Sequence, residues 1–177
     1  MLLPLAYYGS PSLRKKCAPV QTIDEELKQF VSDLAETMLA HRGIGLAASQ
    51  VHRLINLFIT KVPFELADGT EHDGILRVFI NPKILSVSSE VHYRGEGCLS
   101  IPKIYGEVER PLRIEVEFLN LEGEKKNETF HGLEARCILH ENDHINGVLF
   151  IDRMNGRERQ LLEPLLKQMK KKYHPKE

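Results

Sequence analysis

Apolar residues recur every three or four positions in the first quarter of the chain. The series consists of Leu27, Phe30, Val31, Leu34 and Met38. This spacing places apolar side chains along one face of a helix, which we predict over residues 23–41. Thr22 and Glu25 fit a capping box at its start, and Gly43 is predicted to end it as a left-handed cap.

The middle of the chain has the pattern of β-strands. Apolar and polar residues alternate over 113–119, which predicts a strand with one buried face. Short apolar runs predict strands over 56–62 and 77–81, the second ending at Pro82. A glycine-containing turn then predicts a hairpin into a further strand over 125–131.

Helical patterns return towards the end of the chain. We predict a second helix over 133–146 and a last helix over about 157–173, with Asn155 as its N-cap. Pro164 falls inside the last helix, so we expect either a kink or a later start. Strands in the middle and helices at both ends indicate an α+β fold rather than a parallel α/β sheet.

Length, charge and cysteine content narrow the function class. The 177 residues indicate one domain, expected over 1–177. The net charge of −1 excludes a general polyanion binder, because 24 basic residues are balanced by 25 acidic ones. No apolar run reaches the roughly 18 residues of a membrane-spanning helix, and no export signal is visible. Three cysteines make a poor disulfide framework and predict a cytoplasmic location.

His140-Glu141-Asn142-Asp143-His144 is the strongest chemical motif in the chain. Positions i and i+4 of a helix share one face, so His140 and His144 can bind one metal ion. Glu141 can take a proton from the attacking water. This motif predicts a catalytic metal site, and such sites usually have a third protein ligand.

The third metal ligand has several candidates. Phe150 occupies the place where metzincins have a third histidine, so that solution is excluded. Cys137 lies on the same helix, but Cys137 and His144 are separated by about 10.5 Å of helix rise, too far to converge. Cys98, between glycines and a nearby proline, is therefore the leading candidate. The weaker candidates are Glu96, His92 and His131.

Residues 43–50, Gly-Ile-Gly-Leu-Ala-Ala-Ser-Gln, follow the first helix. Their small side chains allow another backbone to approach closely. The segment lacks the features of a phosphate-binding loop, and a tight turn into a packed strand is the simplest interpretation. Gln50 adds a side-chain amide that can donate a hydrogen bond to a developing oxyanion.

Three blocks, at 43–50, 96–100 and 140–144, together resemble the peptide deformylase family, whose members remove the N-formyl group from nascent polypeptides. The resemblance extends over residues 10–153. It implies antiparallel sheets packed around a central metal-binding helix, in a single catalytic domain. It also implies that the substrates are N-formylmethionyl peptides of nascent chains at the ribosome, with no membrane partner and no nucleic-acid specificity.

The resemblance also implies roles for individual residues. The implied metal ligands are Cys98, His140 and His144. Glu141 would be the general acid/base, and the Gln50 amide and the Leu99 N–H would stabilise the oxyanion. The implied substrate contacts are the Gly45 backbone and a methionine pocket formed by Gly43, Ile44, Leu133 and Cys137. The family usually uses Fe²⁺, replaceable by Ni²⁺ or Zn²⁺, and a thiolate with two imidazoles suits all three metals.

The chain departs from the family pattern at Ser49, Tyr105 and Arg136. Tyr105 stands where many members have arginine, which affects the rim of the cleft rather than the metal chemistry. We expect Arg136 either to shape the mouth of the pocket or to pair with Glu96 or Glu134. Because the net charge is near zero, we expect a metal and an apolar pocket, not a charged field, to recognise the substrate.

Three other functions fit parts of the sequence. A peptidase of the H-E-x-x-H type would need a glutamate or histidine as third ligand. A structural metal domain would need a closed set of four ligands, for which His131 is the available fourth residue. An inactive ribosome-bound homologue would use the basic run 170–172, which is also what the C-terminal end of a helix favours.

Overall fold

The computed structural model describes residues 1–175. Its α-helices in this range are α1 Glu25–Ala40, α2 Gly132–His144 and α3 Gly156–Tyr173. The strands are β1 Gly45–Ala47, β2 Leu57–Thr60, β3 Phe64–Glu65, β4 Glu71–His72, β5 Arg77–Val87, β6 Val91–Cys98, β7 Ile101–Pro111, β8 Arg113–Leu119 and β9 Lys125–His131. Short 3₁₀ helices cover Pro11–Arg14, Ala48–Val51 and Phe150–Arg153.

The strands form three antiparallel sheets. The largest has the order β1-β2-β5-β8-β9, the second is the long hairpin β6-β7, and the third is the short pair β3-β4. The α+β class and the antiparallel sheets around α2 are therefore confirmed.

The two faces of the large sheet carry different helices. Successive residues of a strand point to opposite faces, so in β2 Phe58 packs in the cluster with α2, whereas Leu57 and Ile59 pack in the cluster with α1. A third cluster joins β7 to α3, through residues such as Val108 and Leu166. Helix α2 thus lies between the large sheet and the β6-β7 hairpin.

The ends of α1 differ from the sequence prediction. The N-cap is Asp24, whose carboxylate accepts a hydrogen bond from Leu27 N at 2.9 Å, and not Thr22. At the other end the left-handed residue is Arg42, with φ of 58°, and not Gly43. Gly43 closes the helix differently, because its N–H donates to Met38 O at 2.9 Å.

Proline ends neither the strand nor the helix in which it lies. Strand β5 continues through Pro82 to Val87, and a register shift between Ile80 and Lys83 accommodates the ring. Helix α3 continues through Pro164 and begins at Gly156, so the prediction of a possible late start is wrong. Asn155 is its N-cap, as predicted.

None of the helices described for residues 1–175 has the length and apolar content that crossing a bilayer requires.

Candidate metal centre

Helix α2 presents its two histidines to the same side. His140 and His144 are four residues apart, and their ring centroids lie 5.0 Å from each other. Both side chains are buried. Apolar residues of α2, including Ile138, hold the helix against the large sheet, so the histidines face the β6-β7 hairpin.

Cys98 reaches the same point from the end of β6. Its Sγ lies 3.2 Å from His144 Nε2, and the ligand atoms of Cys98, His140 and His144 all lie within 4.8 Å of one another. Within residues 1–175 this is the cluster that the structure offers for a metal ion. One thiolate and two imidazoles fit a divalent transition metal. Cys98 is therefore the sulfur at the centre, whereas Cys137 and the weaker candidates lie outside the cluster.

Glu96 orients the first histidine. His140 Nδ1 donates to Glu96 Oε1 at 2.8 Å, which leaves Nε2 free to bind a metal. Arg110 donates to both oxygens of Glu96, at 2.9 and 3.0 Å. Although burial alone would raise the pKa of Glu96, hydrogen bonds from His140 and Arg110 outweigh it and lower the pKa to about 2. Glu96 is thus a fixed carboxylate beside the metal site, not a ligand.

Arg136 belongs to the same buried network. Its Nη1 donates to Glu96 Oε2 at 2.7 Å, and it also donates to the carbonyl oxygens of Val108 and His92 in the β6-β7 hairpin. Of the two pairings expected for Arg136, the structure contains the one with Glu96. Glu134 instead accepts a hydrogen bond from Arg77 at 2.9 Å.

Glu141 is placed to move protons at this site. It is 4% exposed, and its Oε2 has no hydrogen-bond partner among the described residues. Its Oε1 lies 4.0 Å from His140 Nε2. Burial raises the pKa of Glu141 to about 7, which suits a group that both accepts and returns a proton near neutral pH.

The pKa values of the two histidines shift in opposite directions. Burial lowers the pKa of His144 well below its usual value, and the charge of His140 adds to this effect. Burial also opposes the charged form of His140, but hydrogen bonds with Cys98 and Glu96 outweigh it and raise the pKa of His140. His144 Nδ1 is buried and unpartnered among residues 1–175.

Gln50 is held with its amide NH₂ towards the sulfur of Cys98. Ala47 N donates to Gln50 Oε1 at 2.9 Å, which fixes the orientation of the amide. Gln50 Nε2 then donates to Ser100 Oγ at 3.1 Å and approaches Cys98 Sγ at 3.5 Å. Leu99 follows Cys98 directly and lines the same cleft.

Two of the three metal ligands, Cys98 and His140, line a cleft of about 690 Å³. Every residue predicted to contact substrate lines it: Gly43, Ile44, Gly45, Leu133 and Cys137. Cys137 is buried, and burial raises the pKa of its thiol well above the usual value, so it is an inert wall.

The sequence prediction missed several residues of the site. Arg110 joins Glu96 to Asp143, donating to Asp143 at 2.8 Å, and Ser100 accepts the hydrogen bond from Gln50. Tyr7 and Tyr173 line the outer cleft and stack with ring centroids 4.0 Å apart. Arg110 and Tyr173 stand in no recognisable motif. The only sequence feature that points to Ser100 is its position in the block 96–100, which also contains Cys98.

Comparison with known proteins agrees with this geometry. The sequence model of the polypeptide deformylase family matches residues 2–160. The peptide deformylase of Acinetobacter baumannii (strain SDF) is 43% identical over 159 residues, which cover 90% of this chain and 86% of that protein. A crystal structure of a peptide deformylase from Synechococcus elongatus with actinonin is 40% identical, with a TM-score of 0.83, and covers 94% of this chain and 85% of that one. A class I type b peptide deformylase from Acinetobacter baumannii with bound Met-Ala-Ser is 35% identical, with a TM-score of 0.81, and covers 87% of this chain and 99% of that one.

Proposed function

The chain belongs to the polypeptide deformylase family, and from that premise we propose how its residues divide the work of the reaction. It is a metal-dependent hydrolase that removes the N-formyl group from the N-terminal formylmethionine of nascent polypeptides and releases formate. One observation supports this assignment of roles. Glu141 is buried beside the cluster of Cys98, His140 and His144.

We assign the metal to Cys98, His140 and His144, and we propose Fe²⁺ as the ion used, with Ni²⁺ or Zn²⁺ able to replace it. When bound, the metal supplies Lewis acidity, which makes water more acidic and polarises a carbonyl group. Glu96 keeps His140 in the tautomer that has Nε2 available for the metal.

Glu141 is the general base and then the general acid in this proposal. Its Oε2, which has no hydrogen-bond partner among residues 1–175, takes the proton of the water that attacks the formyl carbon. As the C–N bond breaks, Glu141 passes that proton to the leaving amine, and formate and a free N-terminus result. A pKa of about 7 supports both transfers near neutral pH.

Gln50 and Leu99 stabilise the negative charge that develops on the formyl oxygen. The Gln50 amide NH₂ is already oriented by Ala47 and Ser100, so little reorganisation is needed when the charge forms. The Leu99 backbone N–H is the second donor. Two fixed donors of this kind raise the reaction rate because they act more strongly on the transition state than on the substrate.

The remaining cleft residues select the substrate. Gly45 offers its backbone to the peptide, and Gly43, Ile44, Leu133 and Cys137 receive the methionine side chain. Formyl is the smallest acyl group, so a crowded metal site excludes ordinary peptide bonds by size. The relative from Acinetobacter baumannii was solved with Met-Ala-Ser bound, which supports the same class of peptide as the product here.

We further propose one catalytic domain over 1–177 that acts in the cytoplasm on chains emerging from the ribosome.

Formate release from formyl-Met-Ala-Ser by anaerobically prepared Fe²⁺ protein tests these assignments. We expect Glu141→Gln to lose at least about a hundredfold in kcat while it retains the metal. Glu134→Gln, on the same helix but paired with Arg77, is the matched control and should stay close to wild type. A Glu141→Gln protein as active as wild type would remove Glu141 from the mechanism.

A further inference from the structure

The mouth of the cleft carries charge of one sign. Within the described part of the chain, residues 1–175, five Asp, Glu, Lys or Arg side chains line the cleft. Three of them, Glu96, Arg136 and Glu141, are buried, and the first two are paired with each other. The remaining two, Arg42 and Lys103, are exposed. Among residues 1–175, every exposed Asp, Glu, Lys or Arg that lines the cleft is therefore basic.

These two basic residues are not neutralised by neighbours. Within residues 1–175, neither Arg42 nor Lys103 takes part in an ion pair. The chain as a whole has a net charge of −1, so a general basic excess does not account for the pair. Their charges are available to a bound molecule.

The backbone places both residues in an unusual conformation. Arg42 has φ of 58° and Lys103 has φ of 64°, in the left-handed region that non-glycine residues rarely adopt. Arg42 takes the position after α1 that glycine usually occupies, although Gly43 is the next residue. Lys103 lies where the β6-β7 pairing slips, between the pairs Cys98–Ile101 and Gly97–Tyr105. Such strained residues cluster at ligand-binding sites.

A peptide substrate must pass this mouth. The formylmethionine occupies the inner cleft, and each further residue of an extended peptide advances about 3.3 Å. The second to fourth residues of the substrate therefore lie in the solvent-exposed part of the cleft, which Arg42 and Lys103 line. Tyr105, whose side chain is 70% exposed, adds an aromatic surface at the same edge.

We infer that Arg42 and Lys103 select formylated peptides that carry aspartate or glutamate shortly after the formylmethionine. This inference deepens the proposed function and rests on it. It adds surface charge to a site for which the sequence predicts recognition by a metal and an apolar pocket. Exposed ion pairs contribute little individually, so each charge should change kcat/KM by about two- to fivefold.

Three peptides of equal length and with amidated C-termini test the inference: formyl-Met-Ala-Glu-Glu, formyl-Met-Ala-Gln-Gln and formyl-Met-Ala-Lys-Lys. At low ionic strength we expect kcat/KM for the glutamate peptide to exceed that for the lysine peptide by about fivefold or more, through KM. The ratio should fall towards one in about 0.5 M salt, because salt screens exposed charges.

The double variant Arg42→Gln/Lys103→Gln should bring the glutamate-to-lysine ratio close to one. A matched double variant, Lys83→Gln/Arg157→Gln, removes two exposed basic residues outside the cleft and should keep the wild-type ratio. Equal processing of all three peptides by wild type, or loss of the ratio in the control variant as well, would overturn the inference while leaving the deformylase assignment intact. Failure to release formate from any of the peptides would overturn both.

Discussion

Arg136 and Glu96 form an ion pair inside the protein, with Arg136 Nη1 donating to Glu96 Oε2 at 2.7 Å. The two residues are only 2% and 7% exposed. Arg136 comes from α2, which carries the two metal-binding histidines, and Glu96 comes from β6, which carries Cys98. The pair therefore ties together the two elements that must meet to form the metal site.

Replacing Arg136 with leucine should destabilise the fold. Glu96 would keep Arg110, but the carbonyl oxygens of Val108 and His92 would each lose the hydrogen bond that Arg136 donates. We expect the free energy of unfolding to fall by about 2–3 kcal/mol, measured by chemical denaturation. Arg157→Leu, at an exposed position, is the control. A stability of Arg136→Leu equal to that of the control would contradict a structural role for the pair.

Gly45 is required by its close contact with the catalytic helix. A Cβ at Gly45 would lie 2.8 Å from both Cys137 Sγ and Glu141 Oε1. Because both side chains are buried, Glu141 would have to move, and we expect Gly45→Ala to lower kcat about tenfold or more. Gly95→Ala is the matched control, since a Cβ at Gly95 has no neighbour within 4 Å. Equal activity of the two variants would show that Glu141 tolerates displacement.

Gln50 should affect the transition state more than substrate binding. We expect Gln50→Ala to lose about 10²–10³ in kcat, the usual effect of removing one oxyanion donor, with a small change in KM. Metal content should be unchanged, because Gln50 lies outside the cluster of metal ligands. Gln29→Ala, on the surface of α1, controls for the loss of an amide elsewhere. A loss confined to KM would assign Gln50 to substrate binding instead.

Asp152 should make the folding stability of the protein depend on pH in the acidic range. Burial alone would raise its pKa, but hydrogen bonds from Arg14 and from Leu149 N outweigh burial and lower the pKa below 3.8. A lowered pKa in the folded state stabilises the protein above that ordinary value, and the contribution disappears as pH falls through the folded-state pKa. Asp152→Asn should therefore unfold at a lower temperature than wild type near neutral pH.

The same comparison in acid completes this test. Thermal unfolding of both proteins should be followed from about pH 7 down to about pH 3, and the difference in Tm should shrink below pH 3.8. A difference that stays constant over this range would mean that the hydrogen bonds of Asp152, not its charge, stabilise the fold.

The best-predicted parts of the fold are those with a strong local pattern. The alternation over 113–119 coincides with β8, because one face of that strand is buried and the other is not. The long β6-β7 hairpin had no such pattern and was not predicted as strands. Only one of the eight residues of β6 is buried, so no apolar alternation marks it, and β7 is interrupted by the left-handed Lys103.

The metal ligands were accessible from sequence because two of them share a helical motif and the third lies in a constrained glycine-rich block. The residues that support them were not. Arg110 contacts Glu96, 14 positions away, and Asp143, 33 positions away. Such pairings depend on how β7 packs against α2, and nothing in the local sequence encodes that packing.

X-ray absorption at the metal edge tests most directly whether Cys98 supplies a sulfur ligand to the metal. Protein purified without air should show one metal–sulfur bond in wild type and in Cys137→Ala, since Cys137 lies outside the ligand cluster. Cys98→Ala should lose that bond together with stoichiometric metal. A sulfur signal that survives Cys98→Ala, or disappears in Cys137→Ala, would contradict the metal centre described above.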